Sequence, residues 1–205
     1  EDGSWKNLPK SYNNPSRLNK DLALFSLKHG RIKGVYTGIS QWLNPTALEY
    51  RRYDKAIFLN SDFVIDLDDE DSTDSNAESL SVKQYLEKRT DLKFIKRQRS
   101  GGGFYLKYKV LNPPLIADPK KRIQWFKNHK VEICEELLQA GFTGIDYGKK
   151  RKTFSNVCAD IYRVIRMEGS PHPSGKKCRE VDDSFSWATN QQKDCVGADE
   201  PPTSN

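Results

Sequence analysis

The sequence has no apolar run approaching the roughly 20 residues that span a bilayer, and only 36% of its residues are hydrophobic. These features predict a polar, soluble chain with no membrane partner. No signal-peptide pattern follows Glu1, which predicts an intracellular setting, in cytoplasm or nucleoid. The first residue is not Met, and the expectation is an excised domain or a processed chain. Cysteine is scarce: Cys134, Cys158, Cys178 and Cys195. None sits in a C-x2–4-C pair, so a closed zinc site is not signalled. The irregular spacing fits reduced thiols, although Cys178 and Cys195 could pair within a flexible tail. No G-x-x-x-x-G-K-[ST] occurs, which excludes a P-loop. No internal repeat is present.

What is present is charge. The chain has 205 residues, enough for one large domain or two small modules. Its net charge is +6 and its pI about 9.0, which favours a polyanionic partner such as nucleic acid or nucleotides. Acidic residues concentrate at Asp62, Asp66, Asp68, Asp69, Glu70, Asp71, Asp74 and Glu78. Basic clusters lie at Lys93, Lys96, Arg97 and Arg99, at Lys120–Arg122, and at Lys149–Lys152. A basic chain holding one acidic focus suits a metal-dependent enzyme acting on a phosphate polymer. Each cluster read alone is a solvated face.

Apolar periodicity predicts helices over 18–29, 46–53 and 78–90, and a long one capped by Asp118 that runs to Leu138. Pro119 opens that helix and Gly141 follows it. Strands are expected at 34–38, 56–59, 63–68, 92–97, 103–110, 145–146 and 161–167. Alternating strands and helices give an α/β or α+β class with a mixed sheet. The catalytic domain is expected over 1–181, and 182–205 reads as a polar tail or linker.

Three constellations carry chemistry. Phe63, Val64 and Ile65 form a strand that ends in Asp66-Leu67-Asp68. Residues i and i+2 share a strand face, so the two carboxylates project together and repel unless a cation intervenes. Hard oxygen ligands suit Mg²⁺ or Mn²⁺. The same run also reads as a strand entering an acidic surface loop. A calcium loop over 66–77 is disfavoured, because its sixth position is Asp71 and its twelfth Ala77. Second, Arg99-Ser100-Gly101-Gly102-Gly103-Phe104-Tyr105 offers backbone N–H groups and the Ser100 hydroxyl to an anion, or simply turns a hairpin. Third, Arg163 and Arg166 precede a loop presenting Ser170, His172 and Lys176, a donor set for phosphate oxygens.

In this order the three signals resemble the archaeo-eukaryotic primase superfamily, most closely its small catalytic subunits and primase-polymerase domains. The resemblance spans residues 62–176, and its most specific part is Arg166 through Gly175. It implies a primase catalytic core, an α/β module packed beside an RNA-recognition-motif-like sheet. Asp66 and Asp68 match the first motif, which binds two divalent metals, Mg²⁺ or Mn²⁺. Ser100, Gly101 and Gly102 match the nucleotide-contacting second motif, where Tyr105 stands in place of the usual His. Arg166, Ser170 and His172, with Lys176, match the edge that holds nucleotide phosphates. A third carboxylate is implied, with Asp146 favoured over Asp160. The family's zinc-binding knob has no counterpart here.

The activity so implied is template-dependent nucleotidyl transfer, as DNA primase or primase-polymerase. Its partners would be single-stranded DNA template and primer, nucleoside triphosphates, and a helicase or other replication domain in the parent chain. An end-joining-repair polymerase domain of the same superfamily is the alternative enzyme. A non-catalytic single-strand-binding module with a degenerate primase fold is the alternative of another class, and Tyr105 is the residue that favours it.

Overall fold

The computed structural model describes residues 15–29, 34–43, 57–68, 74–142, 145, 160–172 and 175–184; Pro15, His29 and Asp68 are described in their backbone only. In chain order these form helix α1 (Pro15–His29) and strands β1 (Tyr36–Gly38), β2 (Ser40–Leu43), β3 (Ile57–Ser61) and β4 (Phe63–Asp68). Helix α2 (Ser75–Leu86), strands β5 (Leu92–Arg99) and β6 (Gly103–Val110), and helix α3 (Pro119–Gln139) follow. Strands β7 (Val164–Arg166) and β8 (Arg179–Glu180) close the described chain.

The glycine turn folds β5 back onto β6. Strand β4 takes the other edge of β6, and β8 pairs with β5, giving the order β4-β6-β5-β8. Two short ladders, β1 with β7 and β2 with β3, complete the pairing. All the paired strands described are antiparallel, so the fold is α+β.

Strand alternation divides the four-stranded sheet into two faces. Phe63, Ile65 and Leu67 of β4 share one face with Phe104, Leu106, Tyr108 and Val110 of β6, and all are buried in the main core. Val82 and Leu86 of α2 close over this face, with Phe126, Ile133, Cys134 and Leu137 from one stripe of α3. The opposite face carries Val64 and Tyr105, which pack against Ile39 and Ile165 in a separate small cluster. The β1–β7 ribbon therefore lies on the side to which Asp66 belongs.

Local chemistry sets the helix starts. Asp118 accepts hydrogen bonds from the Lys120 and Lys121 N–H groups, 2.8 and 3.2 Å, and Pro119 occupies the first turn of α3. Asp74 caps α2 in the same way, accepting from Asn76 and Ala77. That cap starts α2 at Ser75, three residues before the apolar stripe signals it. The strand expected over 161–167 contracts to 164–166, because Asp160 accepts a hydrogen bond from Tyr162 N–H and turns the chain. Strands β2 and β8 are short and were not signalled by periodicity. The helix expected over 46–53 lies outside the described residues, as does Cys195. Cys178 is a free, buried thiol.

The chain remains bonded to the sheet beyond β8. Val181 N–H donates to Arg97 O at 3.0 Å, and the Arg97 guanidinium donates to Asp182 O at 2.8 Å. Among the described residues no helix is long and apolar enough to cross a membrane.

Phe126 is 1% exposed and meets Phe58 edge-to-face, with ring centroids 5.3 Å apart. Phe126→Ala should cost about 3–5 kcal/mol of folding stability, measured by urea unfolding. A loss under about 1 kcal/mol would contradict its place joining α3 to the sheet.

Candidate functional site

The β4–β6 register sets Asp66 directly opposite Tyr105, and the β5–β6 register sets Gln98 on the other side of Tyr105. Cross-strand neighbours on one face have Cβ atoms about 4.5–5.5 Å apart. Asp66 and Tyr105 are each 9% exposed. Burial, and then the Asp66 charge, push the Tyr105 phenol well above its ordinary range. Tyr105 is therefore a neutral hydrogen-bond donor beside the carboxylate.

Arg163, at the entrance to β7, forms an ion pair with Asp66 through Nη2 and Oδ2. The two side chains are only 12% and 13% exposed. Pairing of Arg163 with the nearby Asp160 would be the simplest reading of the sequence. In the structure the Asp160 carboxylate caps its own turn, and Arg163 reaches across to β4 instead.

A buried polar chain fixes that turn. Lys130, fully buried on α3, donates to Ser61 Oγ at 2.5 Å. Ser61 and Ser40 hydroxyls lie 2.9 Å apart, and Ser40 Oγ donates to Ile161 O at 2.5 Å. Ile39 N–H donates to Arg163 O at 3.2 Å. The backbone around Arg163 is thus tied to both α3 and β2.

The third sequence constellation forms a hairpin arm. Gly169 N–H donates to Cys178 O, Cys178 N–H to Ser170 O, and His172 N–H to Lys176 O, at 2.7–2.9 Å. The arm lays the His172 ring on the glycine turn: a Cβ added at Gly101 would fall 2.5 Å from His172 Cγ. Gly101 also has φ +104°, which L side chains rarely adopt. Ser100 N–H donates to Gly103 O at 2.8 Å, so one donor of the turn is spent internally. Partial burial first, then the charges of Arg166 and Lys176, lower the His172 pKa. At neutral pH its imidazole is uncharged.

Arg166 is 7% exposed. It donates to Pro171 O at 2.6 Å and to the Tyr36 hydroxyl, and its guanidinium sits 4.7 Å from the Tyr36 ring centroid. A Cβ on Gly34 would meet its Nη1 at 2.3 Å, so Gly34 makes room for it. Ser170 is 4% exposed and accepts the Val35 N–H at 2.6 Å, which braces the arm against β1. That contact uses an acceptor lone pair of the hydroxyl, whose own O–H lies 3.5 Å from Pro171 O.

The structure therefore brings together Asp66, Tyr105, Gly101 and Gly102 of the sheet with Arg166, Ser170, His172 and Lys176 of the arm. Tyr36, Gly34 and the Lys130–Ser61–Ser40 chain are additions that motif spacing did not signal, although the glycine-bounded run 34–38 marked the first two. Asp146 and the Asp68 side chain lie outside the described residues. The neighbour Ile145 is described, and it bridges to Leu67, the residue between Asp66 and Asp68. Among the described residues no group of three His, Cys, Asp or Glu side chains could hold a metal ion. The chain matches no protein-family model and no curated protein sequence.

Gly102 differs from Gly101: a Cβ there would meet His172 Nε2 at 3.6 Å, an ordinary contact, and its φ is not left-handed. Gly101→Ala should unfold at lower urea than wild type and displace the His172 imidazole resonances, whereas Gly102→Ala should leave both nearly unchanged. Equal effects would contradict the packing of His172 on the turn.

His172 and His129 both have lowered pKa values, burial being the first cause in each. The unfolded chain then binds more protons than the folded one just below the ordinary imidazole value of about 6.5. Stability is fully present above that value and falls as pH drops through it. Urea midpoints should decline from pH 7 to pH 5.5, with a shallower slope in His129→Gln/His172→Gln. An unchanged slope in the double variant would contradict neutral burial.

Proposed function

We propose that this chain is a template-dependent nucleotidyltransferase with a primase-like catalytic core, acting with single-stranded DNA template, primer and nucleoside triphosphates. The observation that carries this reading is the convergence of three distant segments on one side of the sheet. Arg163 of the third segment closes on Asp66 of the first, and His172 of the third packs on the glycines of the second. Such convergence is what the order of motifs anticipates for a single phosphate-transfer site.

The donor set fits hard divalent cations. Asp66 is a nearly buried carboxylate already in contact with a cation, Arg163, and strand alternation assigns Asp68 to the same face. Asp146 is the third carboxylate of the proposal, supported by the bridge of its neighbour Ile145 to Leu67. Asp66, Asp68 and Asp146 would hold Mg²⁺ or Mn²⁺. The bound ions would supply activation of the attacking hydroxyl and neutralisation of charge at the leaving pyrophosphate.

The chain's own groups do the remaining work. Arg166 and Lys176 bring positive charge to the phosphates, and neutral His172 offers a ring N–H. Gly101 seats the His172 ring against the turn, Gly102 would let the phosphates approach the backbone beside it, and Ser100 adds a hydroxyl. The Tyr105 phenol, opposite Asp66, donates without carrying charge, where a histidine would bring both. Tyr36 and Gly34 keep the Arg166 guanidinium in one orientation.

A second reading, a single-strand-binding module without catalysis, is favoured by one observation: Arg163 already neutralises Asp66. Incubation with single-stranded template, primer, Mn²⁺ and labelled deoxynucleotides or ribonucleotides separates the two. The proposal expects incorporation by wild type and none by Asp66→Asn. No incorporation by wild type, with template binding undiminished in chelator, would establish the second reading. In titrations with metal present, Arg166→Ala and His172→Ala should each weaken triphosphate binding by about 1.5–3 kcal/mol; unchanged affinity in both would remove them from the site.

A further inference from the structure

We infer that Arg163 is a placeholder for the metal at Asp66, and that it transfers to the polyphosphate when a divalent ion enters. The inference rests on the metal-dependent reading above and adds a residue and an order of binding to it.

Removing a carboxylate from water is costly unless a cation accompanies it. Asp66 and Arg163 are almost equally enclosed, 13% and 12% exposed, so each serves as the other's counter-ion. Among the described residues Arg163 has no other carboxylate partner, and its buried Nε has no hydrogen-bond partner. The guanidinium is thus held by a single anion and retains unused donor capacity.

Its root is fixed by backbone hydrogen bonds, and its head is held by the ion pair with Asp66. Arg163 N–H donates to Asp160 O, Arg163 O accepts from Ile39 N–H, and Ser40 holds Ile161 O. The side chain can leave Asp66 by rotating about its own bonds, without refolding the turn. Arg166, three residues on, reaches into the Tyr36 and Pro171 side of the arm that also carries His172.

Charge then makes occupancy exclusive. Asp66 with Arg163 is neutral; a divalent ion at Asp66 would face the guanidinium charge directly, and like charges that close repel strongly. Metal entry therefore favours release of Arg163, and the polyphosphate entering with the metal is the anion it meets. Each ligand then raises the affinity for the other. Metal alone should bind weakly, which keeps an empty site from holding a divalent ion without substrate.

Two measurements on the full chain test this. In the first, Mn²⁺ alone is titrated by electron paramagnetic resonance. Arg163→Gln should bind Mn²⁺ at least roughly tenfold more tightly than wild type, because the competing cation is gone. In the second, inorganic tripolyphosphate is titrated in chelator, with no metal. Asp66→Asn releases Arg163 and should raise tripolyphosphate affinity several-fold, and Asp66→Asn/Arg163→Gln should abolish that gain. The second arm also covers the case in which Arg163→Gln alone does not fold, since the double variant leaves no unpaired buried charge. Equal Mn²⁺ affinity in wild type and Arg163→Gln, or no tripolyphosphate gain in Asp66→Asn, overturns the inference. Absence of Mn²⁺ binding in both proteins, with the tripolyphosphate gain present, overturns the metal-dependent function instead.

Discussion

A carboxylate nearly buried on a β-sheet needs a nearby positive charge, and Asp66 sets that requirement for the whole site. Its strand is apolar on the other face, where Phe63, Ile65 and Leu67 are fully buried, so Asp66 cannot move without disturbing the core. The cation must come to it. Arg163 does so from a turn held by Ile39, Ser40 and the buried Lys130–Ser61 pair. The small β1–β7 ladder and the position of α3 are thereby linked to the charge of one side chain. A polar chain of this kind contributes mainly orientation; its hydrogen bonds are individually modest.

The second constraint is steric. The arm from β7 to β8 lies against the sheet because Gly101 leaves no Cβ where His172 packs and Gly34 leaves none where Arg166 passes. With these side chains seated, the arm presents two cations and a neutral imidazole beside the glycine turn. The ribbon and arm are joined to the sheet by hydrogen bonds and a small cluster of Ile39, Val64, Tyr105 and Ile165, rather than by the main core. Elements held this way sit toward the less stable end of a structure.

Much of this was legible in the sequence where local chemistry decides. The Asp118 cap, Pro119 and the apolar stripe gave α3 almost to the residue, and the β-prone runs 63–68 and 103–110 gave β4 and β6. Asp66, the glycine turn and His172 were each legible as candidates, whereas the contacts of Arg163 with Asp66 and of His172 with Gly101 come from the tertiary fold. The partner of Arg163 was not legible, because sequence proximity favours Asp160 and only the tertiary fold supplies Asp66. Strands β2 and β8 were missed because two to four residues cannot display a period. Tyr36 and Ser170 owe their roles to contacts between residues 130 and 135 positions apart, Tyr36 with Arg166 and Val35 with Ser170, which no local pattern encodes.

Crystallography of the full chain soaked with Mn²⁺ and a non-hydrolysable nucleoside triphosphate would locate the metal by anomalous scattering and show whether it displaces Arg163 from Asp66. Mn²⁺ should lie within about 2.0–2.6 Å of an Asp66 carboxylate oxygen, with the triphosphate against Arg166 and His172 and Arg163 withdrawn from Asp66. Manganese and nucleotide bound elsewhere, or Arg163 still paired with Asp66 in a fully loaded site, would contradict that arrangement.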